Sequence, residues 1–180
     1  MRVELIDYQD NWQAVKDAAM GTIGRDAGKY PTSDWKRKIL LAEHSPIRLL
    51  EFTFVIHDLP YYVSVHLARH WLGIVHFVST QRTDRTGIDR TKKPQDAPVM
   101  HRIRVNAQAL INISRKRLCN AASPETRKAW GLVIDALREK EPEIASVCVE
   151  ECVYRGFCPE MKSCGYDFHD SRKAYMEGEK

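Results

Sequence analysis

Between Arg69 and Arg85 the chain reads RHWLGIVHFVSTQRTDR, a stretch that concentrates side chains suited to anions. Arg69 and His70 come first. Ser79, Gln81 and Arg82 follow nine to thirteen residues later, with Arg85 just beyond. Hydroxyls and fork-shaped guanidinium groups are donors that fit phosphate oxygens. Taken singly, a basic pair at a helix end answers the helix dipole, and arginines after a strand form a solvated turn. Taken together they point to a phosphorylated ligand. The elements that must position them are also readable. Pro60 predicts the start of a helix through Tyr62, Val65 and Leu67 to Trp71, ended by Gly73 in a left-handed conformation. Ile74 to Val78, β-branched and aromatic apart from His76, predicts a strand that hands directly into Ser79.

The order Arg69-His70-Trp71, seven residues, then Ser79 resembles the R-H-R-x7-S signature of the flavin-dependent thymidylate synthases, with Trp71 in place of the third basic residue. Two further blocks are similar to the same family. Ser45-Pro46-Ile47, followed by Phe52-Thr53-Phe54, resembles its H-x-S/T-P-F-E-H-x-x-F-T-F stretch, with Glu43 where the family has a histidine near folate. From Asn106, NAQALINISRKRLCNAASPETR resembles the helix N-A-R-x-L-x-N/H-F-x-x-L-R and the A-Q-W-E-I-R after it.

The resemblance implies an α/β (α+β) fold, an antiparallel sheet flanked by helices, in a homotetramer with shared active sites. It implies FAD held by Ser45, Arg69, His70, Trp71, Asn106 and Asn112. It places a pyrimidine nucleotide, dUMP, on His66, Arg69, Ser79, Gln81, Arg82 and Arg117, with Arg117 as the catalytic group that polarises the ring. Ser79 in register puts Gln81 at the family's phosphate arginine, whereas a shift of one aligns Thr80-Gln81-Arg82 with S-x-R. The implied reaction is reductive methylation of dUMP to dTMP, with methylenetetrahydrofolate as carbon donor and NADPH reducing FAD. Trp71, His76 and Phe77 replace basic, amide and acidic family residues, so an alternative is C5 modification, such as hydroxymethylation, of another pyrimidine nucleotide. Helix geometry independently places Asn106 and Arg117, eleven residues apart, on one face and about 16 Å from end to end, with Asn112 off that face.

Composition bounds the rest. At 180 residues, 43% hydrophobic and 29% charged, the chain fits one domain over 1–180 with a cysteine-rich tail from about Cys148. No apolar run approaches ~18 residues, so no membrane span is expected. The N-terminus lacks a secretory layout, and a cytoplasmic protein is expected. A net charge of +4 is compatible with nucleic acid and equally with small phosphorylated ligands gathered by local arginines. A nucleic-acid partner is not expected, although a small basic nucleic-acid-binding protein with a cysteine-held zinc is the alternative from another class. Cys148, Cys152, Cys158 and Cys164 fall within seventeen residues. Their spacing does not match the paired C-x2-C of a zinc ribbon, and they read either as a zinc site or as small core residues.

Along the chain, Val3, Leu5 and Ile6 predict an edge or first strand, and Asp10 or Asn11 caps a helix from Trp12. Thr32-Ser33-Asp34 caps a second helix that ends before Ser45-Pro46. Ile47 to Ile56 predicts a long strand with Leu50, Phe52, Phe54 and Ile56 on one face. GIDRTKKPQDAPVMHRIR reads as one polar loop, in which Arg90, Lys92 and Lys93 either border an anion or form a solvated face. Ser123-Pro124-Glu125 starts a helix to about Lys140, Pro142 a short one, and DSRKAYMEGEK reads as a solvated tail.

Overall fold

The computed structural model describes residues 1–178. Four strands form one antiparallel sheet in the order β1-β2-β4-β3: β1 (Arg2–Tyr8), β2 (Glu51–Pro60), β3 (Ile74–Val78) and β4 (Pro98–Asn106). The helices are α1 (Trp12–Gly21), α2 (Ser33–Leu41), α3 (Tyr61–Ala68), α4 (Thr83–Thr86), α5 (Ala107–Arg117), α6 (Pro124–Arg138), α7 (Pro142–Val147), α8 (Glu151–Arg155) and α9 (His169–Glu177). The expected antiparallel sheet flanked by helices is what forms.

Strand periodicity explains the core. Leu50, just before β2, and the inward row Phe52, Phe54 and Ile56 on β2 are buried, and on β4 the inward row is Val99, His101, Ile103 and Val105. These rows meet across the ladder, with Phe54 opposite Ile103 and Phe52 opposite Val105. Helices α3, α5 and α6 pack against the sheet, α6 through Ala129, Trp130, Val133, Ile134 and Leu137. Each fully buried large apolar side chain contributes about 1.5–3 kcal/mol. The indoles in this core are satisfied: Trp130 Nε1 donates to Ser114 Oγ at 2.9 Å, and Trp12 Nε1 to the buried carboxylate of Glu141 at 2.8 Å.

Several expectations shift. The strand expected from Ile47 begins at Glu51, because Ser45–Leu49 forms a 3-10 turn with Pro46 in its first turn, where a proline's missing N–H is no loss. Helix α3 ends at Ala68, three residues before Trp71. Gly73 is left-handed, at φ +72°, but it closes the turn into β3 and does not cap the helix. The segment expected as one loop to Arg104 is a loop only as far as Ala97, and from Pro98 it is the central strand β4. Its alternation of Val99, His101, Ile103 and Val105 with Met100, Arg102 and Arg104 is that of a half-buried strand, masked by the histidine on the inward row. Most of the tail expected to be solvated is α9, with Tyr175 buried; Glu179 and Lys180 lie outside the described residues. Asn11 occupies the α1 cap position without capping: its Nδ2 donates to Leu49 O, and Asp10 Oδ1 accepts from Trp12 N at 3.4 Å. Thr32 caps α2 as expected, accepting from Trp35 N.

Candidate active site

The turn between α3 and β3 carries Arg69, His70, Trp71 and Leu72, and α5 runs beside it. Asn106 is the N-cap of α5, with Oδ1 accepting from Ala109 N at 2.9 Å, and its own N–H donates to Gly73 O at 2.9 Å. A Cβ on Gly73 would lie 2.7 Å from Asn106 Nδ2 and 2.9 Å from Oδ1, so only glycine allows this approach. At the far end of α5, Arg117 Nε donates to His70 Nε2 at 2.8 Å and Nη2 donates to His66 O at 2.7 Å. A guanidinium has five N–H donors. Among the described residues two of them are used, which leaves three for the adjoining hollow.

That hollow, about 380 Å³, is lined by Arg69, His70, Lys116, Arg117, Cys119 and Glu160 among others. His70 is half-buried and its pKa falls from 6.5 to about 4, through burial first, then Arg117, His76 and Arg69. A neutral imidazole that accepts Arg117's proton at Nε2 is consistent with that direction. Burial, then Arg69, also lowers Arg117, which remains a cation.

Beneath the turn lies a histidine pair. His76 Nε2 lies 2.7 Å from His70 O, and since a carbonyl only accepts, that nitrogen carries the hydrogen. In the neutral ring Nδ1 is then an acceptor, and at 2.9 Å it takes the Nε2 hydrogen of His101. His101 Nδ1 is left bare and buried, without a partner among the described residues. His101 is fully buried, and burial, then His76, depresses it to about 4. His101 was not legible as part of the site, because it fell in the expected loop. The inward alternation of β4 is the signal that locates it.

A second cavity, about 460 Å³, lies past the end of β3. Ser79, Gln81 and Arg82 line it together with Tyr61, Arg90 and Lys93. Beside it, Tyr61 N and Tyr62 N donate to Ala97 O and Gln95 O at 3.1 Å. Arg82 is engaged by Asp84 through Nε and Nη2, at 3.0 and 2.7 Å. Lys92 lies outside the lining, 3.9 Å from Asp89. A third hollow, about 240 Å³, is lined by Arg48, Leu72, Gly73, Asn106, Gln108 and Asn112.

The structure thus gathers Arg69, His70 and Arg117 at the C-terminal end of α5, Asn106 at its start and Asn112 at its middle along a second hollow, and Ser79, Gln81 and Arg82 in a separate cavity. His66 turns its imidazole away, to Thr126 Oγ1 at 3.0 Å, and offers Arg117 only its carbonyl. Ser45 is exposed in the 3-10 turn, and Trp71 is 73% exposed. Glu43 pairs with Arg115 and accepts from Gln108 Nε2 at 2.6 Å. Of the four tail cysteines, Cys148 is buried in the core away from the other three, so the set Cys148, Cys152, Cys158 and Cys164 does not come together. Among the described residues no three Cys, His, Asp or Glu side chains converge on a single ion.

Comparison with solved structures fixes the architecture. A flavin-dependent thymidylate synthase from Helicobacter pylori, complexed with FAD and dUMP, superposes with a TM-score of 0.66, covering 83% of this chain and 100% of its own at 15% identity. The fold is that of the flavin-dependent thymidylate synthases. The UMP/dUMP methylase PolB from Streptomyces cacaoi, bound with 5-Br dUMP, shares this thymidylate synthase fold, with a TM-score of 0.64, 16% identity, and coverage of 86% of this chain and 94% of its own. No family model and no curated protein matches the sequence. Among the described residues, no helix is long and apolar enough to cross a membrane.

Proposed function

We propose that the protein is a flavin-dependent enzyme that modifies C5 of a pyrimidine nucleotide, and that its reaction is the reductive methylation of dUMP with methylenetetrahydrofolate and NADPH. The observation that carries this reading is Arg117. It is fixed by His70 and the His66 carbonyl, half-buried, lines a hollow, and keeps N–H donors that bond to none of the described residues. A preoriented guanidinium of this kind stabilises negative charge that develops on a bound ring. The FAD and dUMP of the H. pylori structure and the 5-Br dUMP of the S. cacaoi methylase support the substrate and cofactor classes.

The residues present fit a flavin. Two hollows flank α5, one basic at Arg69 and Arg117 and one polar at Arg48, Asn106 and Asn112, and between them Trp71 and Leu72 offer exposed apolar surface. Bound flavin would supply the hydride to the pyrimidine. Arg69, His70, Trp71, Asn106 and Asn112 would hold it, and Ser45 would reach it from the neighbouring turn. Ser79, Gln81, Arg82, Arg90 and Lys93 would take the nucleotide phosphate, a reading in which Gln81 and Arg82 both contribute. No step calls for an enzymic nucleophile.

The sites are open within one chain, which supports a homotetramer in which neighbouring copies complete them. The edge strand β3 exposes Val75 and Phe77 at 52% and 56%, beside Trp71 and Leu72 at 73% and 68%, and an apolar patch of this kind fits a contact with further copies. The engagement of Glu43 by Arg115 and Gln108 favours a second reading, in which the added carbon comes from a different donor or goes to a different pyrimidine.

The test is incubation with FAD, NADPH, methylenetetrahydrofolate and each of dUMP, UMP and dCMP, with products identified by mass. A gain of one methyl on dUMP is the expected result. An absence of FAD binding at high micromolar concentration would overturn the reading.

A further inference from the structure

A cavity of about 120 Å³ lies between the end of α5 and the link that joins α8 to α9. Four cysteines line it: Cys119, two residues past α5; Cys152, on α8; and Cys158 and Cys164, on the link. All are free thiols. This is not the tail quartet, since Cys148 is replaced by a residue 29 positions earlier that the tertiary fold brings in. The geometry points to an iron–sulfur cluster bound by Cys119, Cys152, Cys158 and Cys164.

The cavity separates this centre from a lone zinc. One zinc requires every sulfur about 2.3 Å from a common point, and hence sulfurs roughly 3.8 Å from one another, which leaves no space among them. Four cysteines set around a volume suit a group with a body of its own, to which each thiolate binds at a different place on the surface, as four cysteines do for [2Fe–2S] and [4Fe–4S] centres. Glu150, Glu151 and Glu160 line the cavity as well, and Lys162 in the lining answers part of their charge. Lys116 stands beside it, with Nζ 3.3 Å from Glu151 and 3.8 Å from Glu160.

The link supplies an independent reason. Gly156 to Phe168 forms neither helix nor strand, and it exposes Phe157 at 56% and Met161 fully. Connections of this length without secondary structure are uncommon in small domains, and a bound metal centre supplies folding energy that such a segment lacks. Binding is not itself a redox step: each thiol releases a proton to solvent as its sulfur joins an iron, and iron and inorganic sulfide come from solution. The cluster would border the basic hollow, which shares Cys119, Ala121 and Glu160 with this cavity. The inference rests on the cysteine cavity alone and stands or falls separately from the nucleotide reading.

The experiment is anaerobic purification of the full chain after expression with added iron and cysteine, followed by assay of iron and acid-labile sulfide and by electron paramagnetic resonance after reduction. Iron and sulfide in equal amounts, at two or four per chain, with a reducible paramagnetic signal, are expected. Cys158→Ser and Cys164→Ser lie on the link, Cys164 exposed and Cys158 partly buried at the edge of the core. Each should lower iron content at least roughly tenfold at an unchanged far-ultraviolet circular dichroism spectrum. Stoichiometric zinc without sulfide, a Cys158–Cys164 disulfide without iron, or iron unchanged in both variants would each overturn the proposal.

Discussion

Arg117→Ala tests the reading of the active site most directly, because the structure says what the side chain holds and what it has to spare. The truncation removes the bonds from Nε to His70 Nε2 and from Nη2 to His66 O. Hydrogen bonds to a charged group are worth about 1.5–3 kcal/mol each, and both acceptors here are only partly sheltered from water, so a stability loss of about 2–4 kcal/mol follows. If the remaining N–H donors stabilise charge on the pyrimidine, turnover falls separately, by about 2.7–4 kcal/mol or on the order of a hundredfold to a thousandfold. Urea unfolding reads the first quantity. Single-turnover rates, measured under conditions where the variant is folded and loaded with FAD, read the second. A third readout is His70 itself. Arg117 is the largest of the charges holding it near 4, so in the variant its pKa should rise toward the ordinary 6.5, visible in an NMR titration. Arg127→Ala is the control. Arg127 donates to Asn120 Oδ1 on the surface of α6, and its loss should cost about 1 kcal/mol with turnover unchanged. Turnover of Arg117→Ala within a few-fold of the parent, or complete loss of flavin, would refute the role given to this residue.

Other perturbations report on the surrounding structure. Gly73→Ala combines a left-handed backbone with a Cβ that meets Asn106, and it should destabilise by about 1–2 kcal/mol from the backbone alone while weakening FAD, as urea unfolding and flavin titration would show. Glu43→Ala leaves Arg115, whose side chain is 14% exposed, stacked on Tyr154 without its carboxylate, at a cost of about 1.5–3 kcal/mol in unfolding free energy. Lys93→Ala should weaken dUMP binding by on the order of tenfold in calorimetry, with FAD affinity unchanged. His101 and His70 both have depressed values near 4, so below pH 6.5 the unfolded chain binds protons that the folded chain refuses. Stability present above 6.5 should therefore fall as the pH drops toward 4, by on the order of 3 kcal/mol for the fully buried His101 and less for half-buried His70. His101→Gln should flatten that slope in urea unfolding across the interval.

The elements written in a single local pattern were legible. The β-branched run Ile74–Val78, the Thr32 cap and the Ser123-Pro124 helix start each state their structure within a few residues. Strand β4 was not, because its inward row includes a histidine and its outward row two arginines, so the segment looks polar throughout although its burial alternates without a break. That single misreading also hid His101. The link between His70 and Arg117 spans 47 residues, and no local pattern can announce it. The resemblance of three separate blocks to one family suggested that these residues meet, and the structure supplied the bond. The grouping of Arg90 and Lys93 with Ser79 depends on how the short connection folds back onto Tyr61 and Tyr62, which composition alone leaves open.

The exposure of Trp71 and Leu72 acquires a meaning from the way their turn is held. Apolar side chains 73% and 68% exposed on a loose loop would fold back onto the nearest apolar surface. Here the backbone beneath them is fixed at three points. Gly73 O is held by Asn106 N at the start of α5, His70 Nε2 by Arg117 at its end, and His70 O by His76, which is itself braced by buried His101. The ladder pairing Ile74 with Val105 sets the first point and, through the fixed rise of α5, the second as well. The turn is therefore braced by a strand register and one helix length, while its two apolar side chains are kept out of the core. An arrangement that holds the backbone in place and leaves the side chains in water presents them to something outside this chain, whether a flat cofactor or the face of a second copy.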